Sequence, residues 1–86
     1  MDVRYSKRFQ KQYKKLPHPI QIKVYKTIKI FSREPFAITL KNHALRGEFK
    51  GERAISVTGN VRAVFEEEDN YKKVTFIRVG THNQVY

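Results

Sequence analysis

With 86 residues, the chain is long enough for one small domain, residues 1–86, that buries a modest core. It has no cysteine, which excludes a disulfide framework and a thiolate metal site, and no signal-peptide pattern or apolar run of spanning length, so it reads as a soluble cytoplasmic protein without a membrane partner. The formal net charge of +10 sits wholly in residues 1–50, with 13 Lys+Arg against 3 Asp+Glu, while residues 51–86 carry 5 of each. An excess of that size points to a nucleic acid or an acidic protein as partner.

In chain order, Met1–Tyr5 reads as a short strand with Val3 and Tyr5 on one side, after which Ser6 offers its hydroxyl as a helix N-cap. Phe9, Tyr13 and Leu16 recur at helical spacing, and Lys7, Arg8, Lys11, Lys14 and Lys15 fall elsewhere around that helix. Pro17-His18-Pro19 stops the first helix and starts a second, because proline cannot donate inside a helix but suits its first turn. From Pro19 to Ser32 the stripe is Ile20, Val24, Ile28 and Phe31, with Lys23, Lys26 and Lys29 off it. Two such stripes serve to cover one face of a sheet.

Phe36–Leu45 shows no clear period and reads as either loop or a short helical turn. Leu45–Gly51, with two glycines around an aromatic, is a tight lead-in to the first of three strands: Arg53–Val57, Val61–Glu66 and Lys72–Val79, broken at Thr58-Gly59-Asn60 and Glu68-Asp69-Asn70. Three-residue loops pair Val57 with Val61 and Glu67 with Tyr71, with Gly59 free to take positive φ. That register puts Ile55, Val57, Val61, Ala63, Phe65, Ile77 and Val79 on a core face. The other face takes Ser56, Arg62, Val64, Val74, Phe76 and Arg78, with Arg62 opposite Phe76 and Arg78 nearer His82. The fold class is therefore α+β: two N-terminal helices on one face of a small antiparallel sheet in the order β-α-α-β-β-β, the other face open as a cleft. Gly80–Tyr86 is expected to lie along the cleft edge or to pair as a short terminal strand.

The histidines at 18, 43 and 82 have no recognised metal-ligand spacing, phosphate-binding glycine loops are missing, and Ser56 has no visible base. What remains is a set of arginine, histidine and tyrosine. That set suits cleavage of RNA by its own 2′-hydroxyl, where a protein aligns the attack, neutralises charge on the phosphorane-like transition state and moves protons. Arginine is the suited cation because its fork matches phosphate oxygens. Ser56 and Phe76 would complete a floor for an anionic, ring-bearing ligand, and Lys11 and Lys26 would dock a nucleic acid or an acidic protein segment.

The runs Leu45-Arg-Gly-Glu-Phe-Lys-Gly-Glu-Arg53, Val61-Arg-Ala-Val-Phe65 and Arg78-Val-Gly-Thr-His82, with a closing aromatic, resemble the RelE/ParE superfamily of bacterial toxins, and within it the YafQ-like mRNA interferases. The resemblance implies a type II toxin that cuts translated mRNA on the ribosome without metal or cofactor, and a cognate antitoxin protein. Arg62 and Arg78 would hold the scissile phosphate, His82 and His43 would transfer protons, and Tyr86 would place a ring near the substrate bases. The YafQ-like branch typically has a histidine at the place of Ser56, and an aspartate followed by an aromatic at the place of Asn60-Val61. Two readings from other classes stand beside this one: a ParE-like inhibitor of DNA gyrase that cuts nothing, and a basic nucleic-acid-binding module. The His43/Arg78/His82 set, which binding alone would not require, favours the nuclease.

Overall fold

A computed structural model describes all residues, 1–86. Its elements are β1 (Asp2–Tyr5), α1 (Lys7–Lys15), α2 (His18–Arg33), β2 (His43–Ala44), β3 (Arg53–Ser56), β4 (Val61–Glu68), β5 (Lys73–Thr81) and a closing turn of helix, α3 (His82–Val85). The five strands form one sheet in the order β1-β5-β4-β3-β2, parallel only between β1 and β5. The fold is the expected α+β arrangement, extended by β2. Of the two alternatives for 36–45, the chain uses a 3₁₀ turn at Ile38–Leu40 and then β2.

Both long helices begin as their sequence signals require. Ser6 accepts the Phe9 N–H at 3.0 Å, and Pro19 falls in the first turn of α2. Their buried stripes, Phe9 from α1 and Val24, Ile28 and Phe31 from α2, meet Ile55, Ala63, Phe65, Val74, Phe76 and Val79 of the sheet. Phe31 lies edge-on to Phe65 and Phe76 with ring centroids 4.8 and 5.4 Å apart, the geometry in which ring edges meet negative ring faces.

The β3–β4 register is the expected one, with Ile55 opposite Ala63, Ser56 opposite Arg62, and the Val57 N–H given to Val61 O at 2.9 Å. Gly59, however, does not use positive φ. The turn is tied instead by Thr58 Oγ1, which accepts from the N–H groups of Asn60 and Val61.

Between β4 and β5 the register departs from expectation. Glu67 faces Val74 rather than Tyr71, because the connection is the four residues Asp69–Lys72, three of them in the left-handed region: Asp69 (φ 53°), Asn70 (56°) and Tyr71 (69°). Aspartate and asparagine tolerate that region. Tyr71 is held there by its N–H to Glu67 Oε1 (2.9 Å), its hydroxyl to Asn42 and its ring beside Phe31 and Phe65. A three-residue slip is odd, so Val74 and Phe76 turn to the helix side and are fully buried there. Phe76 is therefore a core residue and not part of a substrate floor. A bulge then leaves Ile77 unpaired between the pairs Phe65–Phe76 and Val64–Arg78, which restores Arg78 and Val79 to the faces the sequence suggests. Helix α1 satisfies the bulge: Ser6 Oγ donates to Ile77 O at 2.7 Å, and Gln12 Oε1 accepts the Val79 N–H at 2.9 Å.

Phe76→Ala is expected to cost about 3–5 kcal/mol in urea unfolding, the usual range for a large aromatic deleted from a core. A loss under about 1 kcal/mol would return Phe76 to the surface.

Candidate functional site

The sheet face turned away from α1 and α2 is built from two rows that run across the strands. One row is His43, Ala54, Val64 and Arg78; the next is Ser56, Arg62 and Gly80. Arg62 and Arg78 are thus diagonal neighbours, with backbones roughly 7–8 Å apart. The expected pairing of Arg62 with Phe76 is replaced by pairing with Gly80, a position with no side chain to crowd the guanidinium.

The two arginines differ in what they do with their charge. Arg62 is half-buried and donates only to backbone carbonyls, Thr58 O at 2.8 Å and Val61 O at 3.3 Å, and no carboxylate pairs with it. Arg78 is only 5% exposed. Its Nη2 meets Glu52 Oε1 at 2.7 Å, its Nε donates to Val85 O at 3.1 Å, and its guanidinium lies 4.8 Å from the centre of the Phe49 ring. Phe49 and Glu52 come from the lead-in to β3, which Gly47 (φ 65°) and Gly51 (φ 97°) shape in the conformation that favours glycine.

Of the tail, Gly80 and Thr81 pair with β4 as the end of β5. After Thr81 the chain turns into α3, with the Thr81 N–H given to Gln84 Oε1 and the His82 N–H to Asn60 O. A Cβ at Gly80 would come within 2.6 Å of Gln84 Oε1, so a side chain there would push the glutamine away from the Thr81 N–H. Val85, almost fully buried, then packs on Ala54 and Val64 with Leu45 and Tyr86 alongside. The face opposite the helices is therefore partly covered by the chain's own C-terminus. The exposed His82 ring meets the Tyr86 ring edge-on at 4.5 Å, and Phe49 lies 6.4 Å beyond.

Tyr86 is half-buried, but its hydroxyl is shut off from solvent without a hydrogen-bond partner. Desolvation raises its pKa above the ordinary 10.0, against the opposing pull of the Arg62 and Arg78 charges. The phenol is therefore neutral at physiological pH.

Arg62, Arg78, His82, Tyr86 and Ser56 come together on one face, as the sequence suggests. His43 shares that face but stands on the edge strand, three strand spacings, roughly 14 Å, from Arg78. It is exposed, with Nδ1 2.8 Å from Lys41 O. Lys11 and Lys26 are exposed on the helices, across the sheet from the site. Glu52, Phe49 and Val85 are the participants that sequence reasoning missed. The available signal was Glu52 itself, an acid on the strand lead-in two positions before Ala54, in step with the site face. No group of three His, Cys, Asp or Glu side chains is arranged to hold a metal ion.

Removing the Tyr86 hydroxyl removes a buried group without a partner, so Tyr86→Phe is expected to stabilise the fold by about 1 kcal/mol in thermal or urea unfolding. The wild type should also lose stability as pH rises above 10, because the unfolded phenol ionises at its ordinary pKa while the folded one resists. Tyr86→Phe should flatten that part of the profile; a destabilised variant would mean that the hydroxyl has a partner in solution.

The chain matches, over residues 1–86, the family model described as the bacterial toxin of type II toxin-antitoxin system, YafQ. Among solved structures it is similar to YafQ from E. coli strain BL21(DE3), with 26% identity, a TM-score of 0.74 and coverage of 99% of this chain and 97% of that one. The RelBE2 toxin-antitoxin complex from Mycobacterium tuberculosis matches with 26% identity, a TM-score of 0.78 and coverage of 94% and 96%. The E. coli DinJ-YafQ complex matches with 27% identity, a TM-score of 0.71 and coverage of 99% and 97%. No curated protein matches the sequence. A family model spanning every residue, together with the RelE-like fold, settles the membership: the chain belongs to the YafQ family of toxins of type II toxin-antitoxin systems.

Proposed function

We propose that this toxin is a metal-independent endoribonuclease that cleaves mRNA on the ribosome in the cytoplasm and is held in check by a cognate antitoxin. The observation that carries the reading is the placement of Arg62, a guanidinium without a carboxylate partner, on the same face as the exposed His82 imidazole and the Tyr86 ring. In this reading the substrate's own 2′-hydroxyl attacks the adjacent phosphorus and its proton leaves to solvent. Arg62 stabilises the charge that gathers on the phosphoryl oxygens. Protonated His82 gives its proton to the departing 5′-oxygen, the two products being a 2′,3′-cyclic phosphate and a 5′-hydroxyl end. Histidine suits the step because imidazole is the side chain that most readily exchanges protons near neutrality.

The Tyr86 ring offers a stacking surface to a base, and Ser56, beside Arg62, a short hydroxyl to the backbone. His43, at the far edge of the face, engages a neighbouring nucleotide. The lysine-rich helices, Lys11 and Lys26 among them, contact ribosomal RNA. An antitoxin is supported by the DinJ-YafQ and RelBE2 complexes among the structural relatives. A basic chain of this kind suits an acidic protein segment.

Primer extension on mRNA after induction tests the reading. Discrete new 5′ ends inside translated regions are expected, absent with Arg62→Ala although the variant folds, since Arg62 adds little to the core. His82→Gln should keep ribosome binding and slow single-turnover cleavage by roughly 10²–10⁴-fold, the usual worth of a positioned proton donor. Growth arrest without new mRNA ends, accompanied by DNA damage, would sink the nuclease in favour of gyrase inhibition.

A further inference from the structure

Arg78 is placed where a phosphate holder is expected, yet it is buried and already engaged on two sides. Its Nη2 meets Glu52 at 2.7 Å, its Nε meets the Val85 carbonyl at 3.1 Å, and the Phe49 ring lies against the guanidinium. For an RNA phosphate to bind it bidentately, the phosphate would have to displace Glu52 from a contact in which the two side chains are 6% and 19% exposed. Breaking one side of such a pair strands a buried charge. The other partner, Val85, is the residue that plugs α3 onto Ala54 and Val64. Three residues before it on the same short turn is His82, and Tyr86 follows it directly. Arg78 therefore ties the lead-in to β3 to the segment that presents both rings.

We propose that Glu52 is a positioning residue: through the buried guanidinium of Arg78 it holds the C-terminal turn that carries His82 and Tyr86, so that Arg78 is the clamp of the site and Arg62 alone meets the RNA phosphate. The clamp has two parts, a carboxylate that neutralises and orients Arg78, and an Nε donor aimed at Val85 O. Glutamate is suited to the first part because it compensates the buried charge while its hydrogen bond fixes the plane of the guanidinium. Beyond the packing of Val85 on Ala54 and Val64, the short α3 has few other ties: the His82 N–H to Asn60 O, the Tyr86 N–H to His82 O and the Thr81–Gln84 contact. A turn of four residues cannot hold itself in water, so the orientation of His82 depends on what grips its far end.

As a role in catalysis this rests on the nuclease reading, but the clamp itself is measurable without cleavage. The test compares Glu52→Ala, Glu52→Gln and Arg78→Lys with wild type in the full-length toxin, by two-dimensional NMR and by binding of a short single-stranded RNA over a range of salt. Glu52→Ala is expected to lower the heteronuclear NOE of residues 82–86 and to erase the ring-current shifts that the His82–Tyr86 contact produces, while signals from Phe31 and Phe65 remain native. Arg78→Lys, whose ammonium cannot reach Glu52 and Val85 O in the same geometry, should loosen the turn in the same way. Glu52→Gln retains an acceptor for Nη2 and should keep the turn ordered.

For cleavage, Glu52→Ala should lower kcat by about 10²-fold, the scale of a misplaced group, with KM unchanged, and Glu52→Gln should recover most of it. The slope of log affinity against log salt should fall by about 0.7 for Arg62→Gln, the single-strand value for one phosphate contact, and stay at the wild-type value for Arg78→Gln. An ordered turn in both Glu52→Ala and Arg78→Lys would overturn the clamp, and so would a salt slope that falls for Arg78→Gln as it does for Arg62→Gln. Loss of cleavage in Glu52→Gln with the turn still ordered would also overturn it, making Glu52 itself the proton acceptor. If wild type cleaves nothing, the nuclease reading fails while the NMR and salt arms still decide the clamp.

Discussion

The β4–β5 pairing, with its bulge at Ile77, is the constraint on which both the core and the site depend. A strand alternates its side chains, so Phe76 and Arg78 would ordinarily point the same way. One unpaired residue between them sends Phe76 among Phe9, Phe31 and Phe65 and Arg78 to the opposite face. Without it, either an arginine would enter the aromatic core or a phenylalanine would leave it. The bulge is stable because α1 supplies the missing partners, Ser6 for Ile77 O and Gln12 for the Val79 N–H. Ser6 thereby caps the helix and closes the bulge with one hydroxyl, coupling the helical layer to the position of Arg78.

The site is assembled from segments distant in sequence that converge on Arg78 and on the tail. The β3 lead-in brings Phe49 and Glu52, the β3–β4 turn gives the Asn60 carbonyl to His82, and β4 supplies Arg62. Ser56 and Asn60 take the places where the resemblance to the YafQ-like branch implies a histidine and an aspartate, and the fold asks for neither side chain there. Ser56 is a half-buried strand position next to Arg62, and Asn60 serves through its backbone, which any residue supplies. Neither the Ser56 nor the Asn60 side chain carries a structural tie, and His82 is the imidazole that the C-terminal turn brings to the face of the arginines.

Much of this was legible in the sequence, and the parts that were not share a cause. The helices, the Ser6 cap, the proline break and the β3–β4 register follow from local signals: a 3.6-residue period, a hydroxyl before an apolar run, and a turn whose alternation leaves one face apolar. Phe76 was misplaced because the length of the second turn is set by tertiary contacts. Tyr71 is held at positive φ by Glu67, Asn42 and the Phe31 and Phe65 rings, none of which a tyrosine in a turn announces. The bulge then concealed half of the error by restoring Arg78 and Val79. Arg62, Arg78, His82 and Tyr86 could be gathered because a motif names them, but the state of Arg78 could not. Its burial depends on Glu52, whose approach needs two glycines at positive φ, and on a C-terminal turn that reads in sequence as a polar tail.

The distribution of charge separates attraction from chemistry. The excess of +10 comes from residues 1–50, most of it on α1 and α2, which lie across the sheet from Arg62. At physiological ionic strength the Debye length is about 8 Å, shorter than the thickness of a helix layer on a sheet. The lysines of the helices are therefore screened from the face that carries Arg62, and in the proposed reading they attract the polyanion without acting on the phosphate at Arg62. On the site face Arg78 is neutralised by Glu52 at 2.7 Å, while the Arg62 guanidinium has no carboxylate partner. In the proposed reading, an unpaired guanidinium beside an imidazole and a neutral phenol suits a substrate whose negative charge increases at one point, as it does on the phosphoryl oxygens during 2′-hydroxyl attack. A ligand that is merely polyanionic would be held as well by the helical layer alone, and would need none of the geometry that the bulge, the lead-in and the C-terminal turn impose.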